Sequence, residues 1–271
     1  MKLSAIKKIR EDWASILLVF LVSLLTYAPL ITQLGFYRDD WYLLWTNETA
    51  GKQGLLNLFV GDRPFLGWLY VFDFPIFGSS PLAWHVYALV VKIISVFALF
   101  WLLRETWPNR KFETTFLTLL FVVYPGFYQQ PDALTFKQLL LGYGAAMASL
   151  ALTIRVAKVN GNIQKILITL LSLLLAAVYV FIYEPLIGIE AARFILILYF
   201  VYRLNPKWRE SIRTAALKFI PYFTCTAIFL IWRIFLFHST RKAVSAGILT
   251  ENYTSLHGMI RFFCGDLEGS V

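Results

Sequence analysis

Residues 84–103 read WHVYALVVKIISVFALFWLL, twenty positions carrying a single charge, Lys92. A helix needs about 20 apolar residues to cross a bilayer, so this run predicts one membrane span. Working outward from it, comparable runs lie at 13–34, 112–128, 137–154, 166–183, 185–202 and 219–237. The sequence therefore predicts an all-α polytopic membrane bundle of about seven transmembrane helices. Composition agrees, since 59% of the 271 residues are hydrophobic and only 15% are charged. A soluble domain has about 25% charged residues, and a disordered chain lacks this apolar content.

The basic start, with Lys2, Lys7, Lys8 and Arg10, resembles the first region of a signal peptide. The apolar stretch behind it is too long for one and has no small-residue cleavage site, so it reads as a retained span. Segment 35–83 is too polar in its first half to cross a membrane. Its second half, 63–77, is apolar and aromatic but broken by Pro64, Asp73 and Pro75, which suits an interfacial helix.

The net charge of +9 does not imply nucleic acid, because the basic residues flank apolar runs and no recognition motif accompanies them. Fifteen of the 25 Lys and Arg, from Lys2 to Lys218, fall on one side of the predicted spans. Seven fall on the other: Arg38, Lys52, Arg63, Lys137, Arg241, Lys242 and Arg261. Lys92, Arg193 and Arg233 lie within spans. The first side is thus expected to be cytoplasmic and segment 35–83 to face outward, in a multi-pass protein with a cytoplasmic N-terminus. Cys225 and Cys264 make neither a disulfide framework nor a metal site. The spans end in a polar tail, 238–271, without an obvious terminal element. Residues 1–271 read as a single transmembrane domain, incomplete at its C-terminal end.

Acidic residues divide by side. Those on the cytoplasmic side neighbour Lys or Arg, whereas Asp39, Asp40, Asp62, Asp73, Asp132 and Glu184 converge on the outward face from four segments. Asp73 and Asp62 read as interfacial decoration. In the adjacent pair Asp39-Asp40, like-charge repulsion is expected to raise the pKa of one carboxyl and fit it for proton transfer. Glu190 and Arg193, three apart on one helix, are expected to pair inside the bundle. His85 reads as a hydrogen-bonding residue rather than a ligand. Trp41, Trp45, Trp68 and Trp84 read as an aromatic belt.

The order of these features resembles a known family. A first span, an outward Asp39-Asp40, then Asp62-Arg63-Pro64-Phe65 through Asp73, Phe77-Gly78, Pro81 and His85, is similar to the GT-C superfamily of polyprenyl-phosphate-sugar-dependent glycosyltransferases. The pattern lies closest to its protein O-mannosyltransferase-related branch. Similarity continues through Tyr124-Pro125, Asp132, Lys137, Tyr183-Glu184-Pro185 and Arg233, and departs at Lys92, where related chains often carry His. The resemblance implies transfer of a sugar from a lipid-phosphate donor to a glycan, lipid or protein acceptor at the outer face. It places Asp39 as the catalytic base and Asp40 as its electrostatic neighbour or as a ligand of a divalent cation, Mg²⁺ or Mn²⁺. Arg63, Arg233 and Lys137, with Asp132 and Glu184, are implied in substrate binding. The rival readings are a transporter or flippase of lipid-linked saccharides, resting on Lys92, Glu190 and Arg193, and a non-catalytic membrane scaffold.

Overall fold

A computed structural model describes residues 2–124 and 131–237, with side chains from Asp12 onward. The described residues are helical, with no strand: α1 (Lys2–Leu25), α2 (Asp39–Val60), α3 (Pro64–Phe77), α4 (Pro81–Thr106), α5 (Lys111–Val123), α6 (Ala133–Val156), α7 (Asn162–Ile182), α8 (Ile189–Leu204) and α9 (Trp208–Ile231). Short 3₁₀ turns at Ala28–Leu30 and Glu184–Gly188 follow α1 and precede α8, and a π turn, Trp232–Leu236, ends α9. The tail 238–271, with Arg241, Lys242, Arg261 and Cys264, lies outside the described residues.

Among these, six helices are long and apolar enough to cross a membrane: Asp12–Leu30, Pro81–Thr106, Ala133–Val156, Asn162–Ile182, Glu184–Leu204 and Trp208–Leu236. Their outer faces remain apolar. On α7, Ile163, Ile166, Leu167, Leu170, Leu171 and Leu174 follow helical spacing and all stand exposed. Such a stripe is stable against lipid and costly against water.

The expected third span, 112–128, differs. Its described helix, α5, has 13 residues and is about 20 Å long, short of the roughly 30 Å hydrocarbon core. It is not among the six helices long enough to cross, although the directions of its neighbours bear on this point. α4 and α6 run side by side in the same direction, because Lys137 meets Trp84 near their starts, Ser95 Oγ donates to the Leu140 carbonyl (2.6 Å) midway, and Glu105 pairs with Arg155 (2.8 Å) near their ends. Parallel neighbours need a return passage between them. α5 lies in the chain between them, and residues 125–130 fall outside the described set.

α4 starts where Ser80 caps it, accepting from the Ala83 N–H with Pro81 in the first turn, and ends at Trp107, before Pro108. It sits so close to α6 that a Cβ on Gly144 would lie 2.6 Å from Ser95 Oγ. Small residues allow such an approach, and in a bilayer close van der Waals packing rather than water exclusion holds helices together. The largest apolar core, around Ala146, Leu150, Ala176 and Tyr179, joins α4, α6, α7 and α9. A second core, around Leu66, Tyr70, Phe74 and Trp84, fastens α2 and α3 onto one end of the bundle.

The charged residues sort to two ends. At one, Lys111 meets Asp12 (2.9 Å), and Arg155 and Lys158 both meet Glu105 (2.8 and 2.6 Å). At the other lie α2, α3 and the contacts described next. Segment 63–77 forms a helix there, as its sequence predicts, and the polar half before it is helical too, kinked at Gly51 (φ 57°).

Candidate functional site

α2 begins abruptly. Arg38 holds φ at 47°, a region rarely adopted by side-chain-bearing residues, and Asp39 and Asp40 form the first turn. Successive helical residues point about 100° apart, so the two carboxylates separate. Asp39 is exposed, whereas Asp40 is sealed between α2 and the start of α6. Its Oδ1 accepts from both the N–H and the hydroxyl of Thr135 (3.0 Å each). Its Oδ2 is buried and has no hydrogen-bond partner.

Burial pushes the Asp40 carboxyl from the ordinary 3.8 up to about 6; the Thr135 N–H and hydroxyl oppose the rise, and the charge of Asp132 adds to it. This corrects two expectations. The perturbed carboxyl of the pair is raised mainly by desolvation rather than by like-charge repulsion. It is also closed to substrate and to any cation in the space outside, which does not fit a metal-holding Asp40. No group of three metal-ligating side chains occurs among the described residues.

Beside this turn opens a cleft of about 650 Å³ between α2, α3, α6 and the end of α7. Asp39, Asp62, Arg63, Tyr70, Asp132 and Tyr183 contribute to its walls. Arg38 pairs with Asp132 at 3.6 Å across the mouth. Burial raises the Asp132 carboxyl, opposed by Arg38 and assisted by Asp39. Arg63 uses Nε to hold Asp62 (3.1 Å), and its terminal nitrogens make no hydrogen bond among the described residues.

Arg233 and Glu184 pair with each other (3.1 Å), and Arg233 also donates to the Asp62 carbonyl (3.2 Å). They brace the α2–α3 turn from α9 rather than line the cleft.

Lys137 lies elsewhere again. It is 1% exposed, pairs with Asp73, and points its ammonium at the faces of Tyr70 (4.6 Å), Trp84 (4.3 Å) and Tyr87 (5.1 Å). An ammonium boxed by three rings and a carboxylate is a satisfied buried cation. It supports the cleft wall through Tyr70, whose hydroxyl donates to the Leu134 carbonyl (3.0 Å). Asp73 is accordingly a buried counter-ion, not interfacial decoration, and Trp84 is sealed rather than part of a belt. Trp41, Trp45 and Trp68 do stand exposed on α2 and α3.

His85 binds the Gly35 carbonyl (2.8 Å) and the Tyr27 hydroxyl, joining α4 to the chain after α1. Lys92 is 2% exposed, with Nζ 3.5 Å from Thr26 Oγ1. Glu190 and Arg193 pair as expected (2.8 Å) within the bundle. Sequence reading missed Thr135, Gln138 and Asn57, which shape the site. Nothing local distinguishes them from other polar residues near helix ends. Compared with protein-family models, curated proteins and solved structures, the chain matches none.

Proposed function

We propose that this membrane bundle is a glycosyltransferase that works in the Asp39 cleft on a polyprenyl-phosphate-linked sugar. One observation carries the reading: Asp39, Asp132 and the Asp62–Arg63 pair, from three separate segments, share one cleft of about 650 Å³ at an end of the bundle. The resemblance of the Asp-Asp, Asp-Arg-Pro and aromatic-Gly order to GT-C enzymes supports it. So does the exposed apolar face of α3, where Phe65, Trp68, Phe72 and Ile76 could meet lipid next to the site. The cleft end is proposed to face away from the cytoplasm, on the excess of basic residues at the opposite end.

The chemistry follows from the groups present. A hydroxyl of the acceptor loses its proton to an Asp39 carboxylate oxygen as its own oxygen bonds to the sugar's anomeric carbon. The bond from that carbon to the phosphate oxygen breaks, and the electron pair leaves with the lipid phosphate. The free edge of the Arg63 guanidinium offers two N–H groups to the phosphate as charge develops on it. Asp40 touches neither reactant. Through Thr135 it sets the position of the α2 start against α6, and so the placement of Asp39. Transport would rest on Lys92, Glu190 and Arg193, but the last two satisfy each other.

The test is transfer of radiolabelled sugar from a polyprenyl-phosphate donor, in membranes containing the full gene product. Asp39→Asn keeps size and removes the base, so the rate should fall about 10²–10⁴-fold with expression unchanged. An undiminished rate in that variant would overturn the assignment.

A further inference from the structure

The basic end of the bundle holds a second cavity, of about 320 Å³, framed by the ends of α6 and α8, the start of α7 and the middle of α9. Its walls are apolar, with Ile154, Leu196, Phe200, Val201 and Leu204 among them. Two lysines complete the lining, Lys165 from α7 and Lys218 from α9. Neither ammonium makes an ion pair or hydrogen bond among the described residues, although other cations at this end do. Arg155 and Lys158 share Glu105, Lys111 holds Asp12, and Lys207 holds Glu210.

The depth of the cavity suits a lipid. The apolar segment Trp208–Leu236 has 29 residues. At 1.5 Å each it exceeds the roughly 30 Å hydrocarbon core by about nine residues, and placing that excess at the basic end sets Lys218 at the level where hydrocarbon meets headgroups. An apolar cavity opening at that level takes up an acyl chain. Two unpaired ammonium groups at the same place complement a negative phosphate, as basic pockets between membrane helices do.

We infer that this cavity binds an anionic phospholipid, with an acyl chain against α8 and α9 and the headgroup phosphate between Lys165 and Lys218. The site is independent of the reaction in the cleft. It ties α7 to α9 through a bound molecule at the end where no side-chain ion pair joins them among the described residues.

The test uses the purified full chain, stripped with detergent and titrated with phosphatidylglycerol or phosphatidylcholine, with bound lipid counted by native mass spectrometry. The unaltered chain should retain phosphatidylglycerol in preference to phosphatidylcholine. Lys165→Gln and Lys218→Gln should each weaken phosphatidylglycerol binding about fivefold and leave phosphatidylcholine unchanged. Val201→Trp, on the cavity wall at a partly buried position, should weaken binding by filling the cavity with both lysines intact. Arg209→Gln with Arg213→Gln removes twice the charge of either lysine variant from the same end, outside the cavity, and should change nothing. Equal retention of the two lipids would overturn the site. So would undiminished phosphatidylglycerol binding in the lysine or Val201 variants, or an equal loss in the arginine control.

Discussion

Arg193 and Asp40 are both sealed from solvent, yet their surroundings treat charge in opposite ways. Every guanidinium nitrogen of Arg193 is engaged. Nε and Nη2 reach Glu190, Nη2 also reaches Ser149 Oγ (2.8 Å), and Nη1 donates to Thr153 and Ser172 (3.0 Å for the latter), with the plane over the Tyr222 ring. Asp40 has one oxygen held twice and the other held by nothing. A cluster with all its partners fixes α6, α7 and α8 together and has no capacity for a ligand. A buried carboxylate with an unfilled oxygen is a cost the fold sustains. Burial alone does not separate the two groups; the completeness of their hydrogen bonding does.

The largest effect that could break this contrast is on the satisfied cluster. Arg193→Met strands the Glu190 carboxylate in the bundle and should cost about 3–5 kcal/mol of stability. Adding Glu190→Leu removes the stranded charge and should recover most of that loss. Thermal unfolding in detergent measures both, and a single variant as stable as the parent would mean that the network is not the fastening described here.

Asp40 should behave in the reverse sense. Its carboxyl in the folded chain titrates near 6 rather than 3.8, so the folded state binds more protons than the unfolded one between those values. Stability therefore falls as pH rises through that window, and the full penalty, about 3 kcal/mol, is present above it. Asp40→Asn keeps an acceptor for Thr135 and removes the charge. It should raise stability at pH 8 by up to about 3 kcal/mol, leave it unchanged at pH 3, and flatten the profile between. An unaltered profile would show that Asp40 is not the group responsible.

The smallest effect sharpens the same point. Thr135→Val deletes the hydroxyl donor to Asp40 but leaves the backbone N–H. Because that bond favours the ionised form, the loss should be about 1.5 kcal/mol at pH 8 and smaller below the Asp40 transition. The stability midpoint in pH should move upward. A loss of equal size at all pH values would assign Thr135 to packing alone.

These contrasts also separate what was legible in the sequence from what was not. The long spans were legible because a bilayer demands an apolar run of fixed length, and the Glu190–Arg193 pair because its partners sit one helical turn apart. The Lys137–Asp73 pair joins residues 64 apart, and it exists because α3 folds back onto α6. No local pattern announces such a partner. The exposed and sealed halves of Asp39-Asp40 were illegible for a related reason. Their difference depends on a helix beginning at Asp39, in a stretch polar enough to read as loop. The convergence of carboxylates on one end was readable from topology, but the support that Thr135 gives from α6 was not.

α5 carries a consequence for how the chain is made. Its 13 residues include Thr114, Thr115 and Thr118, which turn their hydroxyls back onto carbonyls of the preceding turn and face the bundle. A helix this short, with three threonines and charges in its first turn, gains too little from lipid to enter a bilayer unaided. Its favourable partners are α1 and α4, which it meets through Val122, Val19, Val96 and Phe100. Both α1 and α4 precede it in the chain, so they are already made when α5 emerges, and its insertion is expected to depend on packing against them.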